Sequence, residues 1–506
     1  MDTYKKLLQN IQQRMNRPNN DKKNGKTLKD GDKMGNENNN NNNNGDKDEK
    51  SPYKVDDLLQ AEPSLRDVTN GDDRKSLFIK KLKLCCIVFD FTQSNDGDQN
   101  YELAKEMKRT YLLELVEYIS QSKHWFSEDS VPVILEMIGI NLFRSLPPPI
   151  YPDFDPEEDE PNFDPSWPHL QFVYEFFHRF VMTADVKVIR RYIDKRFLLN
   201  MIDLFNSEDP RERDYLKMIL HRIYGRCMPF RSFIRKAMNN VLYPVIYASD
   251  RHNGVSELLE ILGSIINGFA LPLKDEHTRF LRNVLIPMHK VGTLSQFHAQ
   301  LAYCVVQFIE KDPKLSSLII GGLLKFWPTT SCSKELLYLS ELEEVLEMTE
   351  QQNFEKFIYP VFQKIADCIC SPHFQVAERA LFLWNNDVIA AFMSDHRPQI
   401  LPLLYPALHK NIELHWNPTV TQLTKHIMQQ FADMDVELFE TVKKRHDRML
   451  QQNNTLIIRV KKWEAVNQLK QINLNKMNNS SNKPIHTKYN GTNITNNNNN
   501  SDNNAG

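Results

Sequence analysis

Ser371-Pro-His-Phe-Gln-Val-Ala-Glu-Arg-Ala-Leu381 is echoed 46 positions later by Asn417-Pro-Thr-Val-Thr-Gln-Leu-Thr-Lys-His-Ile427. Each stretch opens on a small polar residue and a proline, the usual start of a helix. Phe374, Ala377 and Leu381 of the first then match Val420, Leu423 and Ile427 of the second. At the same offset Tyr359-Pro360 recurs as Tyr405-Pro406. Upstream, an apolar residue followed by proline inside or closing a helix appears at Tyr243-Pro244, Ile286-Pro287 and Trp327-Pro328. Helix pairs that recur every ~40–47 residues with little identity are the signature of HEAT or armadillo arrays. A single pair cannot bury its apolar face, so stacked neighbours supply the core.

The rest of the body has the same period. Tyr111-Leu-Leu-Glu-Leu-Val-Glu-Tyr-Ile119, Val131-Pro-Val-Ile-Leu-Glu-Met-Ile138 and Leu170-Gln-Phe-Val-Tyr-Glu-Phe-Phe177 place apolar residues three and four apart, and alternating strand patterns are nearly absent. The expected fold is all-α: a HEAT-like solenoid of about eight helix-pair repeats over residues 76–470. Residues 1–75, rich in Asn, Lys and Asp, and residues 471–506, ending in Asn496–Asn500, carry too few apolar side chains to offset ordering entropy. Both are expected to be disordered tails, with a transient helix over Met1–Met15 the one exception.

Two helices can be read in detail. Asp209-Pro210-Arg211-Glu212 combines a capping Asp, a Pro at the first helical position and a Glu spaced to reach back, and Gly225 is a natural stop. Between them Leu216, Ile219, Leu220 and Ile223 form a core stripe. Lys217, His221 and Tyr224 form a second, cationic and aromatic face about 100° away. The helix Val255–Asn267, ended by Gly268 and Pro272, is apolar nearly all round. Ile261 and Ile265 are therefore either covered by a neighbouring repeat or part of an exposed docking patch.

Composition limits the function. Among 506 residues, 63 Lys+Arg against 65 Asp+Glu argue against a chain whose main work is coating nucleic acid or a membrane surface. Only 16 glycines disfavour folds built on phosphate-cradling loops. The seven cysteines form no CxxC and suit reduced thiols; the close pair Cys368-Ile-Cys370 reads as core. The longest apolar run, Leu258–Leu273, is interrupted by Glu260, Asn267 and Pro272, and the N-terminus lacks a secretory h-region. The expectation is a soluble, cytoplasmic chain without a membrane span. Nuclear entry stays open through the weak basic clusters Lys80-Lys-Leu-Lys83 and Lys443-Lys-Arg-His446. GxGxxG, GxxxxGK[ST], HExxH and GxSxG are all absent, and Gly263-Ser-Ile-Ile-Asn-Gly268 fails the spacing of a nucleophile elbow. The acidic run Asp155–Glu160 lacks an EF-hand register and reads as an inter-helix loop. No catalytic constellation, cofactor or metal set is expected.

Long stretches resemble one family. Trp167-Pro-His-Leu-Gln171, Ser207-Glu-Asp-Pro-Arg-Glu-Arg-Asp214, Leu220-His-Arg-Ile-Tyr-Gly225, His252-Asn-Gly254, Glu257-Leu-Leu-Glu-Ile-Leu-Gly-Ser-Ile-Ile-Asn-Gly-Phe-Ala-Leu-Pro-Leu-Lys274, Gln300-Leu-Ala-Tyr-Cys-Val-Val-Gln-Phe308 and the Ser371–Leu381 stretch all resemble the B-prime regulatory subunits of protein phosphatase 2A, over residues 76–450 or so. The resemblance implies a non-catalytic subunit that joins a scaffold and a catalytic subunit in a heterotrimer and selects substrates by gripping Leu-x-x-Ile-x-Glu peptides between neighbouring repeats. The matching groove positions are Lys217, His221, Arg222, Tyr224 and Arg231 on one side, with Ile261, Ile265, Lys274 and His277 on the other. Tyr224, Ile261 and Ile265 would receive the peptide's Ile; His221, Tyr224 and Arg231 would flank its Leu. Lys274 and His277, with Lys217 and Arg222 nearby, would attract its Glu. Each has a plainer alternative: core packing for the isoleucines, solvated surface for the cations and histidines. A transport or trafficking adaptor unlinked to a phosphatase is the competing function.

Overall fold

The structure, a computed structural model, describes residues 54–92, 99–121, 129–147, 160–248 and 251–480. The described residues are helical and contain no strand. They fall into two units, divided after Asp395.

The first unit holds α1 (Val55–Leu58), α2 (Gly71–Leu84), α3 (Gln99–Gln121), α4 (Ser130–Leu142), α5 (Trp167–Thr183), α6 (Val186–Tyr192), α7 (Lys195–Asp203), α8 (Pro210–Arg226), α9 (Arg231–Tyr247) and α10 (Val255–Asn267). It continues with α11 (Asp275–Phe280), extended by a π-helical turn Leu281–Leu285 and by Ile286–Met288, then α12 (His298–Lys311) and α13 (Ser316–Lys325). Its last helices are α14 (Cys332–Glu347), α15 (Gln351–Phe354), α16 (Ile358–Ile369), α17 (Phe374–Phe382) and α18 (Asp387–Asp395). In one row α3, α5, α8, α10, α12, α14 and α17 each lie against the next; α2, α4, α6–α7, α9, α11, α13 and α16 form a second row behind them. These are seven stacked helix pairs. The second unit holds an eighth, α19 (Arg397–Leu414) with α20 (Pro418–Met434), packed on the long α21 (Val436–Ser480).

The stripes read from the sequence form the core. Leu216, Ile219, Leu220 and Ile223 of α8 have no exposed surface, and neither do Val173, Tyr174, Phe176, Phe177, Phe180 or Val181 of α5. Burial of each large apolar side chain contributes roughly 1.5–3 kcal/mol. The prolines also sit as the period requires. Pro244 lies inside α9, Pro402 and Pro406 lie inside α19, and Pro287 follows the π turn that interrupts its helix. Asn417 caps α20 by accepting from the backbone N–H groups of Thr419 and Val420.

Four sequence expectations need correction. Order begins before residue 76: Leu58 and Leu65 are fully covered, and the Tyr111 hydroxyl accepts from the Glu62 backbone N–H at 3.1 Å. Two leucines docked on α3 suffice to order a segment that looks sparse in apolar residues. Lys81 of the basic cluster is likewise core, paired with Glu114. At the other end α21 runs through Ser480, past residue 470. Met1–Met15, residues 155–159 of the acidic run and Asn496–Asn500 lie outside the described residues. Third, Glu212 does not reach back to cap α8. It is fully buried and accepts from Arg144 at 2.8 and 2.9 Å and from the Tyr174 hydroxyl at 2.6 Å, while Asp209 alone caps the helix by accepting from Arg211 N–H at 2.9 Å. An arginine brought in from the segment after α4 outcompetes a local backbone N–H for the carboxylate. Fourth, Gly225 does not stop α8, which runs to Arg226.

What aligns α8 with α10 is the loop His252-Asn253-Gly254. Asn253 donates from its backbone N–H to Asn206 Oδ1 and from Nδ2 to the Asn206 carbonyl, both at 3.0 Å. Burial, with help from Arg213, pushes the His252 pKa down to about 4, so its neutral Nδ1 accepts from the Gly254 N–H at 3.2 Å. A Cβ on Gly254 would stand 2.3 Å from the Phe205 carbonyl oxygen, which is backbone and cannot swing aside. Gly254→Ala should therefore lower unfolding free energy by about 2 kcal/mol, where an unhindered change of this kind would be neutral or stabilising; urea unfolding measures the sign.

A buried charge ties later pairs together. Glu341 of α14, without exposed surface, lies 2.9 and 3.1 Å from His289 Nε2 and 2.9 Å from His298 Nε2. Burial alone would raise the Glu341 pKa, but the two imidazoles outweigh it and hold it down to about 2; the His289 pKa is raised against its own desolvation by the same carboxylate. Relative to ordinary values of 4.5 and 6.5, the Glu341 contribution is complete above 4.5 and fades as pH falls toward 2. The His289 contribution is complete below 6.5 and fades as pH rises through its raised value. The stability lost in Glu341→Gln should thus be greatest between about pH 4.5 and 6.5 and smaller at pH 3 and pH 9, as read from urea midpoints.

Candidate functional site

The second face of α8 lies along α10, and the two helices run parallel. Arg213 Nε donates to Glu257 Oε1 at 2.8 Å, Lys217 Nζ lies 2.7 Å from Glu260 Oε2, and His221 Nε2 lies 2.9 Å from Ser264 Oγ. Steps of four on α8 meet steps of three and four on α10, the spacing at which side chains share one helix face. Lys217 also pairs with Asp214 at 2.9 Å. Burial lowers the Lys217 pKa, but the hydrogen bonds to Glu260 and Asp214 prevail and raise it.

Ile261 and Ile265 stand beside these partners on α10 and are 2% and 4% exposed. Of the two alternatives left by the sequence, coverage by a neighbour is the one realised. α12 packs closely on α10, with Cys304 Sγ donating to the Leu259 carbonyl and the Tyr303 ring 2.7 Å from where a Cβ on Gly263 would sit. The isoleucines form a floor and not an open patch.

Tyr224, at the end of α8, is held by α9. Arg231 lies 5.2 Å from its ring centroid, and its guanidinium donates to the carbonyls of Tyr224 and Gly225, each at 3.0 Å. This caps the last turn of α8 in place of a glycine. Arg235, one turn further on, donates to the Tyr224 hydroxyl at 3.1 Å and to Glu276 Oε1 at 3.1 Å. Glu276 in turn lies 3.5 Å from His277 Nε2, whose ring stacks on Phe269 at 3.7 Å. Burial, foremost, lowers the His277 pKa; Glu276 opposes this, and Arg235 and Lys274 add to it. Lys274 is exposed at the start of α11.

Seven of the nine residues singled out in the sequence are thereby brought onto neighbouring parts of α8, α9, α10 and α11, with Lys274 exposed at the start of α11. Arg222 is not. One residue beyond His221, it is turned about 100° away toward His178 of α5, whose pKa is lowered chiefly by burial, with Arg222 and Arg179 adding to the effect and Glu175 opposing it. Arg235, Glu260, Ser264 and Glu276 escaped the sequence reading. The i, i+4 repetition of Arg231 and Arg235 was the one available sign; the acidic partners become visible only when the helices are side by side. The result is a row of donors and cations beside the two isoleucines, in which Glu257 pairs with Arg213, Asp214 and Glu260 with Lys217, and Glu276 with Arg235.

A family profile described as protein phosphatase 2A regulatory B subunit (B56 family) matches residues 62–470. An Arabidopsis thaliana relative, the B' beta isoform of the 57 kDa regulatory subunit of serine/threonine protein phosphatase 2A, is 53% identical over 392 residues, 76% of this chain and 78% of that one. The human alpha isoform of the 56 kDa regulatory subunit is 50% identical over 380 residues, 75% of this chain and 77% of its own length. The human delta isoform is 47% identical over 421 residues, covering 82% and 69%. No helix among the described residues is long and apolar enough to cross a membrane. Helix pairs in register, together with a profile that spans nearly all of them, establish that the chain belongs to the B56 family of protein phosphatase 2A regulatory subunits and is a regulatory, non-catalytic chain.

Proposed function

We propose that this chain directs the phosphatase to its substrates by holding Leu-x-x-Ile-x-Glu-like segments along α8 and α10, as part of a heterotrimer with a scaffold and a catalytic subunit. Family membership supports a phosphatase-linked role over that of an adaptor unlinked to a phosphatase. The observation that carries the peptide reading is the ladder Arg213–Glu257, Lys217–Glu260, His221–Ser264, which sets the polar face of α8 beside Ile261 and Ile265.

The roles follow from chemistry. A peptide isoleucine over Tyr224, Ile261 and Ile265 would gain roughly 1.5–3 kcal/mol from burial of its own side chain. A leucine would lie against His221, Tyr224 and Arg231, where the guanidinium already stacks on the ring. The peptide glutamate would replace Glu276 on Arg235 and meet Lys274 and His277, an exchange of one carboxylate for another that leaves no cation unpaired. Such an exchange favours selectivity over raw affinity, because desolvation and pairing nearly cancel.

His221→Glu, which sets a carboxylate close to Glu260, and Ile265→Asp, which puts charge on the floor, should each weaken binding of a Leu-x-x-Ile-x-Glu peptide at least about tenfold in titration calorimetry. His221→Glu should leave the melting temperature near that of the wild type, because His221 is exposed; unchanged affinity in both variants would remove the assignment. Tagged and purified from cells, the chain should carry scaffold and catalytic subunits at equimolar yield with okadaic-acid-sensitive activity. Recovery of the chain alone would argue against the heterotrimer.

A further inference from the structure

α21 packs on α19 through its first turns, where Phe439 and His446 meet the Tyr405 ring edge-on at 5.6 and 5.3 Å and Val442 is buried. Further along, its apolar side chains are bare. Leu456, Ile458, Val460, Trp463, Leu469 and Ile472 are all about half exposed or more, with Trp463 at 68%. At about 100° per residue they fall on two opposite faces. Leu456, Val460 and Trp463, at i, i+4 and i+7, lie within an arc of about 60°, and Ile458, Leu469 and Ile472 lie within a second such arc on the far side. The helix is also basic: residues 443–472 hold eight Lys and Arg against Asp447 and Glu464. A helix with apolar side chains on opposite sides belongs inside a partner, and none of the described residues covers these.

Charge and shape narrow the partner. A membrane surface takes a helix along one face and needs the other polar, so it would leave Ile458, Leu469 and Ile472 in water. A second copy would pair through one seam and set Arg459, Lys461 and Lys462 near their own kind. The rest of the chain fits no better. Residues 481–506 offer only Ile485 and Ile494 as large aliphatic side chains, and residues 1–29 carry eight Lys and Arg against two Asp. An acidic protein that closes two apolar grooves on one helix meets both the charge and the two faces. Leu456 and Leu469 are separated by about 20 Å along the helix axis, room for one groove on each side.

We propose that α21 between Met449 and Ile472 is a docking helix for an acidic EF-hand protein of the calmodulin type, which exposes Met-rich grooves when loaded with Ca²⁺ and takes up basic, apolar-faced helices. Leu456, Val460 and Trp463 fill one groove, and Ile458, Leu469 and Ile472 the other. Calcium thereby reaches a phosphatase regulatory subunit through a helix that takes no part in the proposed peptide site.

The probe is calmodulin, titrated into the full chain by calorimetry with excess Ca²⁺ and again with EGTA. With Ca²⁺ a one-to-one complex with Kd at or below about 1 μM is expected, and with EGTA binding at least about a hundredfold weaker. Trp463→Glu and Leu469→Glu, one on each face, should each weaken the complex at least about tenfold and leave the melting temperature unchanged, because both side chains are exposed. Lys461→Glu combined with Lys462→Glu should weaken it too and flatten its dependence on salt. Absence of a Ca²⁺-dependent complex would overturn the proposal, and so would unchanged affinity in either face variant. Flotation of the chain with phosphatidylserine vesicles, or its sedimentation as a dimer, in place of that complex would assign α21 to a membrane or to self-association instead. The purified heterotrimer should bind calmodulin as the free chain does; loss of binding on assembly would show that a phosphatase subunit covers α21 and would equally overturn the proposal.

Discussion

The parallel contact between α8 and α10 is the constraint from which the site follows, and it is set by backbone, at the point where Gly254 meets the Phe205 carbonyl. Asn253 fixes the loop at both ends of the Asn206 side of that contact, so α10 starts at a defined height beside α8. From there the helical repeat dictates that residues 213, 217 and 221 face 257, 260 and 264. A shift of one residue would turn these faces apart by about 100° and pair Lys217 with an isoleucine.

Two buried carboxylates of the first unit are held by hydrogen bonds from neighbouring helix pairs. Glu212 takes three hydrogen bonds from Arg144 and Tyr174, and Glu341 pairs with His289 in the turn after Met288 and with His298 at the start of α12. Neither carboxylate could be buried alone. Each therefore has force only when its neighbouring pairs are in register, which makes register a condition of charge satisfaction as well as of apolar packing. At the proposed peptide site the opposite holds. The pairs Lys217–Glu260 and Arg235–Glu276 include partly exposed carboxylates, 40% and 54%, that water or another acid can replace at small cost.

The regular part of this architecture was legible in the residues. Leu216, Ile219, Leu220 and Ile223 at steps of three and four, the Asp209-Pro210 start and the Gly268 end of α10 are local signals, and local rules read them correctly. Glu212 shows where such rules stop. Its position three residues after Asp209 fits a capping box, yet a distant arginine claims it. The early leucines Leu58 and Leu65 looked too few to order their segment because the surface of α3 that receives them is not visible from their own neighbourhood. Arg235 and Glu276 went unread for the same reason, each being meaningful only as the other's partner.

The one-dimensional pattern by itself thus determined that the chain is a series of helical pairs, where α8, α10 and α20 begin, and which side of α8 is apolar, because all of these depend on neighbours within a turn or two of helix; α17 begins at Phe374, later than the Ser371-Pro372 start read from the sequence. Only the tertiary structure decided that Ile261 and Ile265 lie covered, that Arg231 caps α8 and that Arg235 and Glu276 pair. Those outcomes depend on how separate helices pack against one another, and no periodicity within a helix encodes them.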